Sequence, residues 1–282
     1  MSVPEYIPIS LKSPSHILNN KTLFSLKQYA TPSVWYKKPS FLYYPQVQQE
    51  NNFESGIIRG SKITSVVVMA MRYQDFIKNK YYLVSGRGSA KQDIFIDDYD
   101  YIRFIFLITH FQSPIRIYNS GWYTSGFFKR QAFSTGEKRL KSIVDNRSIE
   151  LIAFTLMPES YDIIVKNLSE SILSVYMHRI LTAYGKYFNS KYKKRGHIFE
   201  GPFDAVPINN NSELADLSNL IHTKPKHIEG WADNLHKYPW SSYQDYIGNN
   251  RWGNLISNEI VLNQFKNQAD YKKFVSSDNT GI

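Results

Sequence analysis

The chain has 282 residues, of which 42% are hydrophobic, 21% are charged and none is cysteine. This length allows one large domain, or one domain with a smaller partner, and the apolar content excludes a disordered chain. No apolar run reaches the roughly eighteen residues of a membrane-spanning helix, and without cysteine there are no disulfides and no thiolate zinc sites. The first residues lack the basic start and apolar core of a secretory signal, so a cytoplasmic location is expected.

The charge of the chain is strongly basic, with 34 Lys and Arg against 24 Asp and Glu, a net charge of +10 and an isoelectric point near 9.4. Such a chain attracts acidic polymers, among them nucleic acids. A solvated basic surface explains the same charge, so charge alone leaves DNA binding open. Aromatic residues make up 15% of the chain, and exposed rings beside Lys and Arg can stack on unpaired bases, although most rings belong to a core.

The N-terminal half is read in three parts. Residues 1–65 contain scattered prolines without a sustained period, which predicts a loop-rich N-terminal extension or small accessory domain. A β-branched run from Ile63, followed by YYLVSGRG, predicts the start of a sheet and a glycine turn. Apolar residues then recur at helical spacing up to Phe111, with Asp97 or Asp98 as the N-cap, which predicts a core-facing helix.

The next segments complete a sheet. Residues 113–148 are mixed and basic, and either a hairpin or a mobile loop fits them. IELIAFTLMP and SYDIIVK predict two strands joined tightly at Pro158 and Glu159, followed by a long amphipathic helix and a fourth strand within residues 196–208. A further helix is expected with Ser212 as its cap. This order predicts an α+β fold, a ferredoxin-like split βαββαβ antiparallel sheet with helices on one face and additional C-terminal helices.

Six segments resemble, in order, the single-tyrosine HUH transposases of the insertion sequence 200 type, especially the REP-associated tyrosine transposases. They are YYLVSGRGSAKQDIFIDDYDYIRFIFLI, LMPESYDIIV, AYGKYFNSKYKKRGHIFEGPF, LIHTKPKHIEGW, YPWSSYQDYIG and NEIVLNQFKNQADYKKFV. The resemblance covers roughly residues 80–275 and implies a transposase-like domain over residues 66–275 with a tail at 276–282. In that family two strand histidines and a third polar ligand hold Mg²⁺ or Mn²⁺, and a helix tyrosine attacks single-stranded DNA to form a phosphotyrosine link.

Every catalytic position of that family carries another residue here. The resemblance places the two histidines on Ser160 and Asp162, the tyrosine on Leu220 and the helix ligand on Lys224. Serine is a poor metal ligand, a lysine repels a cation, and leucine has no oxygen with which to attack. We therefore expect no catalytic residue and no metal cofactor, while the apolar frame of LMPESYDIIV remains because it builds the sheet.

The resemblance also implies where DNA binds. Phosphate contacts are expected from a set of basic residues near one end of the sheet: Arg87, Lys91, Lys186, Lys191, Lys193, Lys194, Arg195 and His197. The alternative explanation of these charges is a solvated helix terminus, which the helix dipole favours. Pro202 replaces an arginine of the family pattern, which removes one expected contact.

Three functions remain open on these residues. The favoured one is a catalytically inactive relative that binds single-stranded or hairpin DNA. The second is a DNA transposase or nuclease with relocated catalytic residues, although neither Tyr161 nor the scattered histidines give a metal spacing. The third is a protein-interaction scaffold in which residues 1–65 engage a partner. The resemblance implies a homodimer. We expect no membrane partner.

Overall fold

The structure is a computed structural model that describes residues 76–277. The predicted N-terminal extension, the β-branched run from Ile63 and most of the predicted tail lie outside these residues. In the described part no helix is long and apolar enough to cross a membrane.

The described residues contain a four-stranded antiparallel sheet. Its strands are β1 (Tyr81–Arg87), β2 (Ile149–Met157), β3 (Ser160–Asn167) and β4 (Asp204–Ile208). They lie in the order β2-β3-β1-β4, and each neighbouring pair is antiparallel. With helices connecting β1 to β2 and β3 to β4, this is the predicted split βαββαβ arrangement, so the fold class is confirmed. Residues 196–208 contain the predicted short fourth strand as β4, which is preceded by a bridge between Phe199 and Gly88.

The helices lie on both faces of the sheet. They are α1 (Asp98–His110), α2 (Ser120–Thr124), α3 (Phe127–Arg130), α4 (Glu137–Asp145), α5 (Ile172–Tyr192), α6 (Asn211–Thr223), α7 (Tyr243–Ile247), α8 (Glu259–Leu262) and α9 (Gln268–Ser276). Short 3-10 turns occupy Ser89–Lys91, Lys224–His227, Leu235–Lys237 and Gly253–Leu255. Helices α1 and α5 cover one face, whereas α6 and the C-terminal helices cover the other.

Strand alternation divides the core between these faces. Tyr161, Ile163 and Val165 of β3 point into the α1 and α5 side, and Ile164 packs with α6 on the opposite side. Successive side chains of a strand point to opposite faces, so this division follows from the sequence. It also fixes which face of β3 carries Ser160 and Asp162.

Two helix starts test the predicted caps. Asp97, one of the two predicted caps of α1, accepts hydrogen bonds from the backbone N–H groups of Tyr99 and Asp100, and the Asp100 side chain completes a capping box. The predicted cap Ser212 of α6 is wrong, because Asn210 has the extended backbone of a cap and accepts from the Glu213 N–H.

Residues 113–148 form neither the expected hairpin nor a loop without structure. They contain α2, α3 and α4, which pack Phe127 and Ile143 into buried positions. Phe133 stacks on Trp252 with ring centroids 5.5 Å apart, which ties this segment to the C-terminal part of the chain. These helices stay folded through such aromatic contacts, since helices this short are unstable alone.

Candidate nucleic-acid interface

The residues to which the resemblance assigns the metal ligands meet on the α6 side of the sheet. Ser160 and Asp162 are on the same face of β3, and in the register of the sheet Asp162 lies opposite Ser85 of β1 and Thr155 of β2. Lys224 follows the last turn of α6 and reaches this row of polar residues.

Asp162 is the centre of this group. Its side chain is 3% exposed, its Oδ1 accepts a 2.7 Å hydrogen bond from the Ser85 hydroxyl, and its Oδ2 lies 2.5 Å from Lys224 Nζ. The contact with Lys224 is a charge contact without the alignment of a hydrogen bond. A buried carboxylate is stable only with a compensating charge, and here that charge is an ammonium of the chain itself.

These residues do not fit a divalent metal. The Lys224 ammonium has no acceptor and occupies the carboxylate oxygen that a cation would need, while Ser160 offers only a weak hydroxyl ligand. Among residues 76–277 no three His, Asp or Glu side chains are grouped as a metal site would require.

Leu220 is the residue to which the resemblance assigns the nucleophile. Its side chain is 47% exposed on α6, one turn before Lys224. An aliphatic group at this solvent-facing position contributes no acid, base or nucleophile.

Tyr161, the phenol between the two lost ligands, points to the other face. It is 1% exposed and packs on Phe104, with ring centroids 5.0 Å apart. Gly86 makes room for it, since a Cβ on Gly86 would lie 2.4 Å from the Tyr161 hydroxyl. Burial raises the pKa of Tyr161 far above its usual 10.0, so this phenol is neither placed nor ionised for attack on DNA.

His222 is a structural residue of α6. Its Nδ1 lies 2.7 Å from the Tyr271 hydroxyl and its Nε2 lies 2.8 Å from the Ser242 hydroxyl. Burial lowers the pKa of His222 to about 3, which keeps the ring neutral. With both nitrogens bonded inside the protein, His222 is not a substitute catalytic base.

The turn 88–92, which follows β1, and the segment 193–199, which follows α5, lie next to each other, and both contain predicted phosphate contacts. The Ser89 N–H and the Gln92 side-chain amide both donate to the Ile198 carbonyl, at 2.9 and 3.1 Å, and Lys194 Nζ lies 3.2 Å from Gln92 Oε1. This joins the turn 88–92 to the segment 193–199. We call these two segments the basic loops. Their exposed basic side chains are Lys91, Lys193, Lys194, Arg195 and His197.

The backbone of the basic loops is unusual. Lys91 and Lys193 have φ values of +58° and +54°, a left-handed conformation that is uncommon for lysine. Such conformations concentrate at binding sites, where the surrounding structure holds them. Lys186, also exposed, lies two turns before Lys193 on α5.

Arg87 and Lys191 differ from the other predicted contacts, because both are paired inside the protein. Arg87 forms a two-pronged contact with Glu200, at 2.6 and 3.0 Å. Lys191 Nζ lies 2.6 Å from Asp97 and 2.8 Å from Asp100, which ties the end of α5 to the start of α1. Burial alone lowers the pKa of Lys191, but its hydrogen bonds to Asp100 and Asp97 outweigh this effect and raise the pKa above 10.5.

Two partners in this region were missed at the level of sequence. Ser85, which binds Asp162, lies on the same face of β1 and is its register partner, so strand alternation was the signal that pointed to it. Glu200, which neutralises Arg87, follows the basic segment by only a few residues, and its opposite charge was the signal.

No family model matches the chain, and no curated protein matches it. Among solved structures, the chain is similar to one described as "Structure of the REP associates tyrosine transposase bound to a REP hairpin", with 16% sequence identity and a TM-score of 0.40. The match covers 61% of this chain and 81% of that chain. The fold assignment therefore rests on the strand order and pairing described above.

Proposed function

We propose that this chain binds single-stranded or hairpin DNA through its basic loops and does not cleave it. One observation carries the DNA-binding part: the structure joins two sequence-distant basic segments into one exposed surface, where Lys91 and Lys193 to His197 have their side chains in solvent. Exposed cations gathered at one end of a sheet supply the counterion release that drives binding to a phosphate backbone.

The contact between Lys224 and Asp162 supports the absence of cleavage. It neutralises the carboxylate at the position where the resembling family binds its metal. Leu220 gives the position of the nucleophile no hydroxyl. A pseudoenzyme that keeps the transposase-like fold and a DNA surface agrees with both features.

Binding and cleavage are tested separately. Fluorescence anisotropy with labelled single-stranded, hairpin and duplex oligonucleotides measures affinity between about 50 and 200 mM salt, where we expect log Kd to rise linearly with log salt. Incubation of the same oligonucleotides with Mg²⁺ or Mn²⁺, followed by a denaturing gel, detects cleavage or a covalent adduct. Absence of binding at low salt overturns the DNA-binding proposal, and a cut product or an adduct overturns the proposed inactivity.

The resemblance also leads us to propose a homodimer in solution. Light scattering after size-exclusion chromatography measures its mass. A mass of one chain at all concentrations contradicts this part without affecting the DNA proposal.

A further inference from the structure

The segment 113–148 is also basic and carries exposed aromatic rings. Residues 113–148 contain seven Lys and Arg and two acidic residues, a net +5 of the total +10. In this segment Tyr118 is 69% exposed and Trp122 is 62% exposed. Large rings in solvent beside cations are the composition of surfaces that bind unpaired bases.

Trp122 lies on helix α2, which packs on α1, and its ring is exposed to solvent. The ring meets Tyr123 edge to face, with centroids 5.1 Å apart and planes at 87°. Tyr123 in turn stacks on the buried Phe106 of α1, with centroids 5.5 Å apart. Helix α2 is held to α1 by a 2.7 Å hydrogen bond from Arg103 to the Ser120 hydroxyl. Trp122 therefore offers a ring at low entropy cost to a ligand.

This surface is continuous with the end of α5, next to the basic loops. Arg103, which holds α2, also stacks over Tyr187 of α5 at 4.6 Å. Tyr99, 55% exposed, touches Phe128 of α3 at 4.9 Å, and Lys191 of α5 lies 6.0 Å from the centre of its ring. A series of packed side chains thus connects the C-terminal end of α5 to α2 and α3.

From the contacts of Trp122, the exposure of Tyr118 and Lys129 and the charge of this segment, we infer that these three residues bind the unpaired part of a DNA strand that the basic loops hold. We call Tyr118, Trp122 and Lys129 the aromatic shelf. This inference rests on the proposed function. Tyr118 and Trp122 stack on bases, and the exposed Lys129 of α3 contacts phosphate. Charge complementarity favours a nucleic acid over an apolar protein segment, because residues 113–148 carry a net charge of +5.

The test uses the full chain with Tyr118→Ala and Trp122→Ala combined. We expect affinity for a labelled single-stranded oligonucleotide to fall by roughly fivefold to a hundredfold, and affinity for a blunt duplex without unpaired bases to stay within about twofold. Trp122→Phe, which keeps a ring, retains most of the single-strand affinity. The matched control Val175→Ala removes part of another exposed apolar side chain, on α5, and changes neither affinity.

The outcomes separate this inference from the proposed function. If the wild type binds single strands and the double variant binds equally well, the aromatic shelf is not a DNA surface, whereas the proposed function stands. If the double variant instead changes the oligomeric state or the free energy of unfolding, the shelf is covered by protein and the inference is wrong. If the wild type binds no DNA, the proposed function fails first and the inference falls with it.

Discussion

The α6 side of the sheet and the basic loops use charged residues in opposite ways. The charge of Asp162 is neutralised within the protein, because Lys224 Nζ lies 2.5 Å from its carboxylate. The Ser85 hydroxyl also donates a hydrogen bond to this carboxylate. In the basic loops, Lys193 and Arg195 extend into solvent. A charge neutralised at short range stabilises the fold and has little attraction left for a ligand, whereas a set of exposed like charges attracts a polyanion.

The comparison predicts two kinds of response. Substitutions in the buried region change the free energy of unfolding and leave DNA affinity alone, whereas substitutions in the basic loops do the reverse. The substitutions of Lys224, Lys191 and the basic loops are therefore followed by both stability and DNA affinity, since a residue whose substitution changes both quantities fits neither class.

The largest expected effect is the loss of stability in acid. Burial lowers the pKa of His222 from 6.5 to about 3. The unfolded chain therefore takes up a proton at this residue below pH 6.5, while the folded chain takes none until about pH 3, so the free energy of unfolding falls as the pH drops through this window. At pH 4.5 we expect His222 alone to have removed roughly 2–3 kcal/mol relative to pH 7, and His110, whose pKa burial also lowers to about 3, to remove a similar amount.

Urea unfolding of the wild type and of His222→Gln at pH 7 and pH 4.5 checks this expectation. The variant lacks the titrating ring, so its loss of stability between the two pH values is smaller by roughly 2–3 kcal/mol. Equal losses in both proteins would mean that His222 is accessible to protons in the folded state.

The next effect concerns the pair of Asp162 and Lys224. Lys224→Gln leaves a carboxylate that is only 3% exposed without its cation, at a cost of about 1–3 kcal/mol. Asp162→Asn costs less, because the Lys224 side chain is 35% exposed and turns to solvent. The double variant has no unpaired charge and recovers part of the loss, which gives a coupling energy of about 1 kcal/mol or more.

A double-mutant cycle by chemical denaturation measures that coupling, and anisotropy of the same four proteins measures DNA affinity. Additive losses of stability would contradict a direct interaction. A DNA affinity that falls with Lys224→Gln would move Lys224 from the structural class to the interface.

The basic loops are expected to show the opposite pattern. With Lys91, Lys193 and Arg195 all changed to Gln, single-strand affinity at about 100 mM salt falls roughly tenfold or more, and the slope of log K against log salt decreases by about 2. The free energy of unfolding stays within about 0.5 kcal/mol, as it does for surface substitutions.

The matched control removes the same three charges elsewhere. Lys237, Lys266 and Lys272 are exposed in the C-terminal part of the chain, and changing them to Gln lowers the net charge equally. If this control weakens binding as much as the loop variant, the attraction comes from overall charge and the basic loops have no special role.

The sheet was predictable because its signals are local. Alternation in β2 and β3, the tight connection at Pro158 and the capping box at Asp97 each lie within a few neighbouring residues. The helices of residues 113–148 were not predictable, because α2 has five residues and α3 has four. A helical period of apolar residues cannot be recognised in so short a segment. Their stability comes from rings far apart in sequence, such as Phe133 and Trp252.

The candidate site divides in the same way. Sequence comparison placed Lys224 beside Asp162, because the resembling motif fixes both positions, and the structure brings them into contact. The sequence could not show that Lys191 is paired with carboxylates while Lys193 is exposed, because both lysines stand at the end of the same helix. The carboxylates that pair with Lys191 belong to the start of α1, more than ninety residues earlier in the chain.

The smallest effect distinguishes those two lysines. Lys191→Gln removes the cation that Asp97 and Asp100 share, and because Asp100 is fully buried we expect a loss of about 1 kcal/mol in the free energy of unfolding. Single-strand affinity changes by less than about twofold, since this ammonium is already neutralised, while Lys193→Gln leaves stability unchanged and weakens binding by about two- to threefold, the contribution of one phosphate contact. Chemical denaturation and anisotropy on both variants measure the difference. A stronger loss of DNA affinity in Lys191→Gln than in Lys193→Gln would show that pairing with carboxylates does not withdraw a lysine from the interface, and the contrast between the two regions would then fail.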